Sequence, residues 1–172
     1  ALKVGDELEV SGPYGQFFTR LSDPQGAIFL AGGSGLSSPQ SMIMEMIEKG
    51  DPREIYLFQG ARNVAELYNR EIFEALDQSH ENFHYIPALN APEEGDNWEG
   101  YNCFVHEAVN DYFDGKCDGH KAYLCGPPPM IDAAITTLMH GRLFERDIHM
   151  ERFYTAADGA EEQNKSALFK RI

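Results

Sequence analysis

Cysteine is scarce in this chain. Cys103, Cys117 and Cys125 are its three cysteines. Three irregularly spaced cysteines do not make a disulfide scaffold, so free thiols in a reducing compartment, and hence a cytoplasmic location, are expected. An iron–sulfur cluster needs about four thiolates, which this chain alone cannot supply. No apolar run approaches the length of a bilayer crossing, and no cleavable signal is visible. Positive charge is also short: 14 Lys and Arg stand against 28 Asp and Glu, a formal net charge of −14. Nucleic acid and anionic membranes attract basic patches, so neither is an expected partner. A partner with a basic docking face suits this charge, and so does an acidic protein that needs no such partner. The six histidines form no metal pattern. His106-Glu107 is not continued as H-E-x-x-H, and no second pair completes a tetrahedral site with Cys103 and His106. No metal site is expected.

What is present is a globular composition, 42% hydrophobic and 24% charged over 172 residues, enough for one domain with a sizeable core. In the first 22 residues Leu8 and Val10 alternate with polar positions, and Gly12-Pro13-Tyr14-Gly15 leads to Phe17-Phe18. That is a short β-hairpin pattern, which needs a sheet to pair with. From residue 27 strands and helices alternate. Apolar runs at 27–31, 55–58, 83–89, 122–125 and 148–153 read as strands. Between them lie helical patterns. Ser38-Pro39 gives one a start and Gly50 a stop, Asn63 caps a second, residues 104–113 form a short third, and Pro127-Pro128-Pro129 opens a fourth. Residues 90–101 read as a loop, and those after 154 as a polar tail. The alternation predicts an α/β fold of three layers, α/β/α, around a five-stranded parallel sheet. Ligands of such sheets bind beyond the carboxyl ends of the strands, where strand order reverses.

Four segments fall at those ends. Gly32-Gly33-Ser34-Gly35 lies between the first strand and its helix. It is either a tight turn or a place where main-chain amides approach a phosphate. It is not G-x-G-x-x-G, nor a Walker loop, which needs a lysine absent here. Gly60-Ala61-Arg62 offers an arginine that either stacks on a nucleotide or stays solvated. Cys125-Gly126-Pro127-Pro128 sets a cysteine at the mouth of the cleft, or an inert buried one, with no base beside it for a nucleophilic role. Glu151-Arg152-Phe153 ends the last strand with a ring that lies over a flat cofactor or belongs to the core.

Taken in order, these segments resemble the ferredoxin–NADP reductase superfamily. Gly12-Pro13-Tyr14-Gly15 looks like the close of its flavin-binding barrel, Gly32–Gly35 like its G-G-[ST]-G pyrophosphate loop, and Gly60-Ala61-Arg62 with Glu66-Leu67-Tyr68 like its second nucleotide turn. Cys125–Pro128 resembles its C-G-P-P signature and Glu151–Phe153 its terminal E-x-F. Within the superfamily, the runs Gly33–Pro39, Ala122–Asp132, Gly141–Ile148 and Leu168–Arg171 look like the reductase components of bacterial phenol hydroxylases and related multicomponent aromatic monooxygenases.

The resemblance implies residues 1–22 as the last strands of a truncated FAD-binding barrel, 23–154 as an NAD-binding domain and 155–172 as a tail. It implies NADH as the dinucleotide, FAD held mainly by the missing barrel, and a 2Fe–2S centre in the parent enzyme but not in this chain. Gly32, Gly33, Ser34, Gly35, Gly60, Arg62, Gly126, Pro127 and Pro128 would bind the cofactor, while Cys125, Glu151 and Phe153 would stand at the reacting ring. The expected partners are N-terminal FAD and ferredoxin domains of the same polypeptide and an oxygenase component. Relatives that choose NADPH carry a serine–arginine pair after the third strand. Here that turn reads Leu89-Asn90-Ala91-Pro92-Glu93-Glu94 and has no cation, which favours NADH. The barrel's R-x-Y-S stretch and the four-cysteine motif are missing, so catalysis by this chain alone is not expected. The reading from another class is a non-catalytic nucleotide-binding or docking domain on the same fold.

Overall fold

The computed structural model describes residues 2–12 and 14–153. Five strands, β1 (Gly26–Gly32), β2 (Ile55–Ala61), β3 (Phe83–Leu89), β4 (His120–Gly126) and β5 (Ile148–Arg152), form one sheet in the order β3-β2-β1-β4-β5. Every pairing is parallel. Parallel strands need crossovers, supplied here by α1 (Ser37–Glu48), α2 (Arg70–Ser79), α3 (Val105–Tyr112) and α4 (Pro128–His140).

Strand side chains alternate between the two faces. Ala27, Phe29, Ala31 and Tyr123 pack with Met42, Ile43 and Met46 of α1 and Phe73 of α2. Ile28, Leu30, Ala122 and Leu124 pack with Val105, Ala108 and Val109 of α3 and Ile131, Ala134, Ile135 and Leu138 of α4. Because β1 and β4 are covered on both faces, they read in the sequence as continuous apolar runs. The three-layer α/β/α architecture and its five-stranded parallel sheet are as the sequence predicts.

Three local expectations are corrected. The hairpin expected in residues 1–22 is not formed: no strand occurs among the described residues before Gly26, and Leu8, Val10 and Tyr14 are exposed. Its apolar side chains have no sheet to lie on, and a lone hairpin is marginal. Only the end of this segment is anchored. Phe17 meets Tyr123 edge-on at 6.4 Å between ring centroids, and Tyr123 Oη accepts from the Arg20 amide at 2.9 Å. Asn63 does not cap α2. It precedes a single 3-10 turn, Val64–Glu66, and α2 begins after Asn69, which takes a left-handed φ of 57°. Ser38 is not the cap of α1 either. A 3-10 turn over Gly33–Leu36 runs straight into α1 at Ser37, leaving the Ser38 hydroxyl free for a different partner. The tail expected at 155–172 lies outside the described residues.

Candidate functional site

Strand order reverses between β1 and β4: α1 leads from β1 towards β2 on one side, and β4 lies on the other. The turns after these two strands therefore bound a crevice at the carboxyl edge of the sheet. After β1, Gly33 and Ser34 are exposed while Gly32, Gly35 and Leu36 are buried. The glycines of this turn do different work. A side chain on Gly33 would meet nothing within 4 Å, although its φ of 55° is left-handed. On Gly35, a Cβ would fall 2.7 Å from Gly126 Cα, and on Gly32 it would fall 2.6 Å from Met130 Sδ. Gly35 is thus required by the backbone packed against it, Gly32 is crowded only by the Met130 side chain, and Gly33 and Ser34 leave their main chain open. The first amides of a helical turn have no partner within it, and neither this turn nor the first turn of α1 contains an acid. The electrostatics favour an anion there. Ser37 Oγ donates to Ser34 O at 3.0 Å and holds the turn closed.

Gly60 stands at the end of β2 for a similar packing reason. A Cβ there would meet Val105 Cβ of α3 at 3.0 Å. Arg62 is 74% exposed and donates through Nε to both Glu66 oxygens, at 2.8 and 3.1 Å, which raises its pKa and lowers that of Glu66. The turn after β3 is zipped onto this one. Asn90 N donates to Ala61 O at 3.1 Å and Ala91 N to Arg62 O at 2.9 Å. Asn63 Nδ2 donates to Glu93 Oε1 at 2.7 Å, and Val64 N to Asp96 Oδ2 at 3.2 Å. Arg62 is therefore paired with Glu66, while Glu93 and Asp96 brace the two residues that follow it, Asn63 and Val64. Behind it, buried Gln59 donates to Tyr68 O at 3.1 Å and accepts from Tyr85 Oη at 2.6 Å, fixing the Tyr68 backbone.

The other flank is built by β4 and β5. Cys125 pairs in register with Ala31 on one side and Glu151 on the other. It is fully buried, and burial, then the nearby Glu151 charge, pushes its thiol up to about 11. It is a neutral thiol at the back of the crevice, not a group at its mouth. Glu151 is exposed and accepts from Ser38 Oγ at 3.3 Å. Phe153 is half-buried, and its amide extends the ladder to Gly126 O at 3.1 Å. Pro127 is exposed and Pro128 buried, opening α4 with both N1 and N2 occupied by proline. The arrangement gathers Gly32–Gly35, Cys125–Pro128 and Glu151–Phe153 around one crevice, and sets Gly60–Arg62 beyond it, past the outer side of β1.

Sequence reasoning gave Met130 no role of its own and missed the Ser38–Glu151 link, the Gln59 network and the bracing of the arginine turn by Asp96. Only Gln59 left a signal, as a polar residue inside an apolar strand. Among the described residues no His, Cys, Asp and Glu group is placed to hold a metal ion, and no helix is long and apolar enough to cross a membrane.

This geometry is that of a dinucleotide-binding α/β domain, and the family model described as the oxidoreductase NAD-binding domain matches residues 29–136. The chain belongs to that family. It is 69% identical over 171 residues to the phenol hydroxylase P5 protein of Acinetobacter pittii (strain PHEA-2), and 68% identical to the reductase component DmpP of phenol 2-monooxygenase from Pseudomonas sp. (strain CF600). Each match covers 99% of this chain and 48% of the relative, so the chain spans about half their length. Among solved structures, the cytochrome P450 reductase GcoB of Amycolatopsis superposes with a TM-score of 0.74 at 26% identity, covering 83% of this chain and 42% of that one. The ferredoxin reductase in carbazole 1,9a-dioxygenase gives 0.70 at 25% identity, with 83% and 42% covered. The resemblance read from the sequence, including its phenol hydroxylase subgroup, is borne out.

Proposed function

We propose that this chain is the NADH-binding part of a cytoplasmic bacterial flavoprotein reductase that supplies electrons to an aromatic monooxygenase of the phenol or toluene type. In this reading residues 1–22 close an FAD-binding barrel, residues 23–154 bind the dinucleotide, and FAD and ferredoxin domains of the same polypeptide complete the reductase. When bound, NADH supplies a hydride for the flavin, whose electrons then leave singly through a 2Fe–2S centre to the oxygenase. The observation that carries the reading is the open Gly33–Ser34 main chain at the point of strand reversal, where a diphosphate has space beside the leading amides of a helical turn.

The residues present fit the group. The Gly33 and Ser34 amides and the Ser34 hydroxyl would hold the diphosphate. Arg62, oriented by Glu66, would lie along the adenosine half. Gly126 and Pro127 would bound the nicotinamide half, with Cys125 behind it as an uncharged wall and Phe153 and Glu151 at its outer side. The acids around Arg62 would oppose a 2′-phosphate, so NADH is favoured over NADPH.

Calorimetric titration of the chain with NADH, NADPH and ADP tests this. NADH should bind at a single site, ADP should compete with it, and NADPH should bind more weakly. Absence of NADH binding, or binding that ADP does not displace, would refute it.

A further inference from the structure

Gly32 and Gly126 share one neighbour. A Cβ on Gly32 would lie 2.6 Å from Met130 Sδ, and one on Gly126 would lie 2.7 Å from Met130 Cε and 3.3 Å from Gly32 N. The Met130 thioether therefore fills the notch between the ends of β1 and β4. It is half-buried and packs against the core on the α3 and α4 face of the sheet. Met130 also carries the first main-chain amide hydrogen of its helix. Pro127, Pro128 and Pro129 have none, and the next amide, Ile131 N, is already given to Pro127 O at 3.1 Å. One residue thus carries both the soft apolar group in the notch and the leading donor of α4.

We propose that Met130 is a positioning residue for the nicotinamide half of the dinucleotide, its thioether setting how deeply that half enters between Gly32 and Gly126. The inference rests on the NADH reading above. Methionine suits this place because its unbranched, polarisable side chain packs against an aromatic ring and adjusts to it. Gly32, at the end of β1, borders the thioether, but a Cβ on Gly33 would meet nothing within 4 Å, so the Gly33–Ser34 main chain assigned to the diphosphate stands clear of it and the two halves of the ligand should respond differently to its loss.

The test compares NADH with ADP-ribose, which keeps the adenosine and diphosphate but has no nicotinamide. Met130→Ala should weaken NADH binding about fivefold and reduce the rise in NADH fluorescence on binding, leaving ADP-ribose affinity unchanged. Met130→Leu should restore most of the NADH affinity. Met130→Gln, which keeps the length of the side chain, serves if the alanine variant does not fold and should behave like it towards both ligands. Equal losses for both ligands would show that Met130 only supports the fold and would overturn the proposal, as would unchanged NADH binding. If the unsubstituted chain bound neither ligand, the dinucleotide reading itself would fall, and this inference with it.

Discussion

Ser38 and Glu151, 113 positions apart in sequence, meet at the carboxyl edge of the sheet, where Ser38 Oγ donates to Glu151 Oε2 at 3.3 Å. The contact joins the first turn of α1 to the end of strand β5 and lies beside Cys125, whose register partner is Glu151. A carboxylate that would otherwise swing freely at the end of an edge strand is held beside a buried neutral thiol. Ser38→Ala should release it at little cost to the fold, below about 1 kcal/mol for a partly exposed hydrogen bond. Urea denaturation checks this; a much larger loss would mean that Ser38 supports more than Glu151.

The four positions of the Gly32–Gly35 turn should respond unequally to a methyl group. Gly35→Ala drives a Cβ against the Gly126 backbone, which cannot yield, and should destabilise the chain by about 3 kcal/mol. Gly33→Ala enters open space and should cost about 1 kcal/mol, from its left-handed backbone alone. Chemical denaturation of the two variants should preserve this order.

Dinucleotide choice should respond to charge after β3. Ala91 is exposed and its amide is fixed to Arg62 O, so Ala91→Arg places a cation beside the arginine turn without disturbing the backbone. The affinity for NADPH relative to NADH should rise about fivefold, the effect of roughly 1 kcal/mol between neighbouring charges in water. Competition titrations with both dinucleotides measure the ratio.

Acid sensitivity should centre on Asp51. Its carboxylate meets Arg53 at 2.5 Å, both side chains are less than 10% exposed, and Arg53 also donates to Arg20 O and Asp23 O at 3.1 and 2.8 Å. The hydrogen bond from Arg53 holds the Asp51 pKa below its ordinary 3.8, against the opposing effect of burial. A carboxyl group depressed in the folded state adds stability above its unfolded value and loses it as pH falls through the folded one. The pair should therefore be intact above about pH 4 and fail below it. Asp51→Asn should cost about 3 kcal/mol at neutral pH, because Arg53 is left buried without its counter-charge. Thermal melts between about pH 3 and 7 should show a flatter acid limb in the variant.

Strand positions and fold class were legible because burial on both faces leaves long apolar runs, such as Ala27–Ala31 and Ala122–Cys125, that hydrophobicity alone reveals. The crevice was legible as an ordered set of turns. The way each glycine is used was not. Gly32, Gly35 and Gly60 look alike in sequence, yet each is crowded by a different neighbour, Met130, Gly126 and Val105, brought from far along the chain. The start of α2 was misplaced because Asn63 has the chemistry of a cap, whereas α2 begins only at Arg70, after a three-residue 3-10 turn, Val64–Glu66, that places Glu66 against Arg62. The apparent hairpin before Gly26 shows the reverse case, in which a local pattern has no surface in this chain to fold against.

The turns after β2 and β3 are bonded to each other, while those after β1, β4 and β5 meet across the crevice. The two groups touch at few places, Gly32 beside Gly60 and Asn69 Nδ2 donating to Gln40 Oε1 at 2.7 Å, so substitutions at Arg62 and Ala91, away from these contacts, should add nearly independently to those in the crevice. On the proposed reading, the choice between adenosine-bearing electron donors could then be rewritten at residues 62 and 89–96 while the crevice between β1, β4 and β5 keeps its shape.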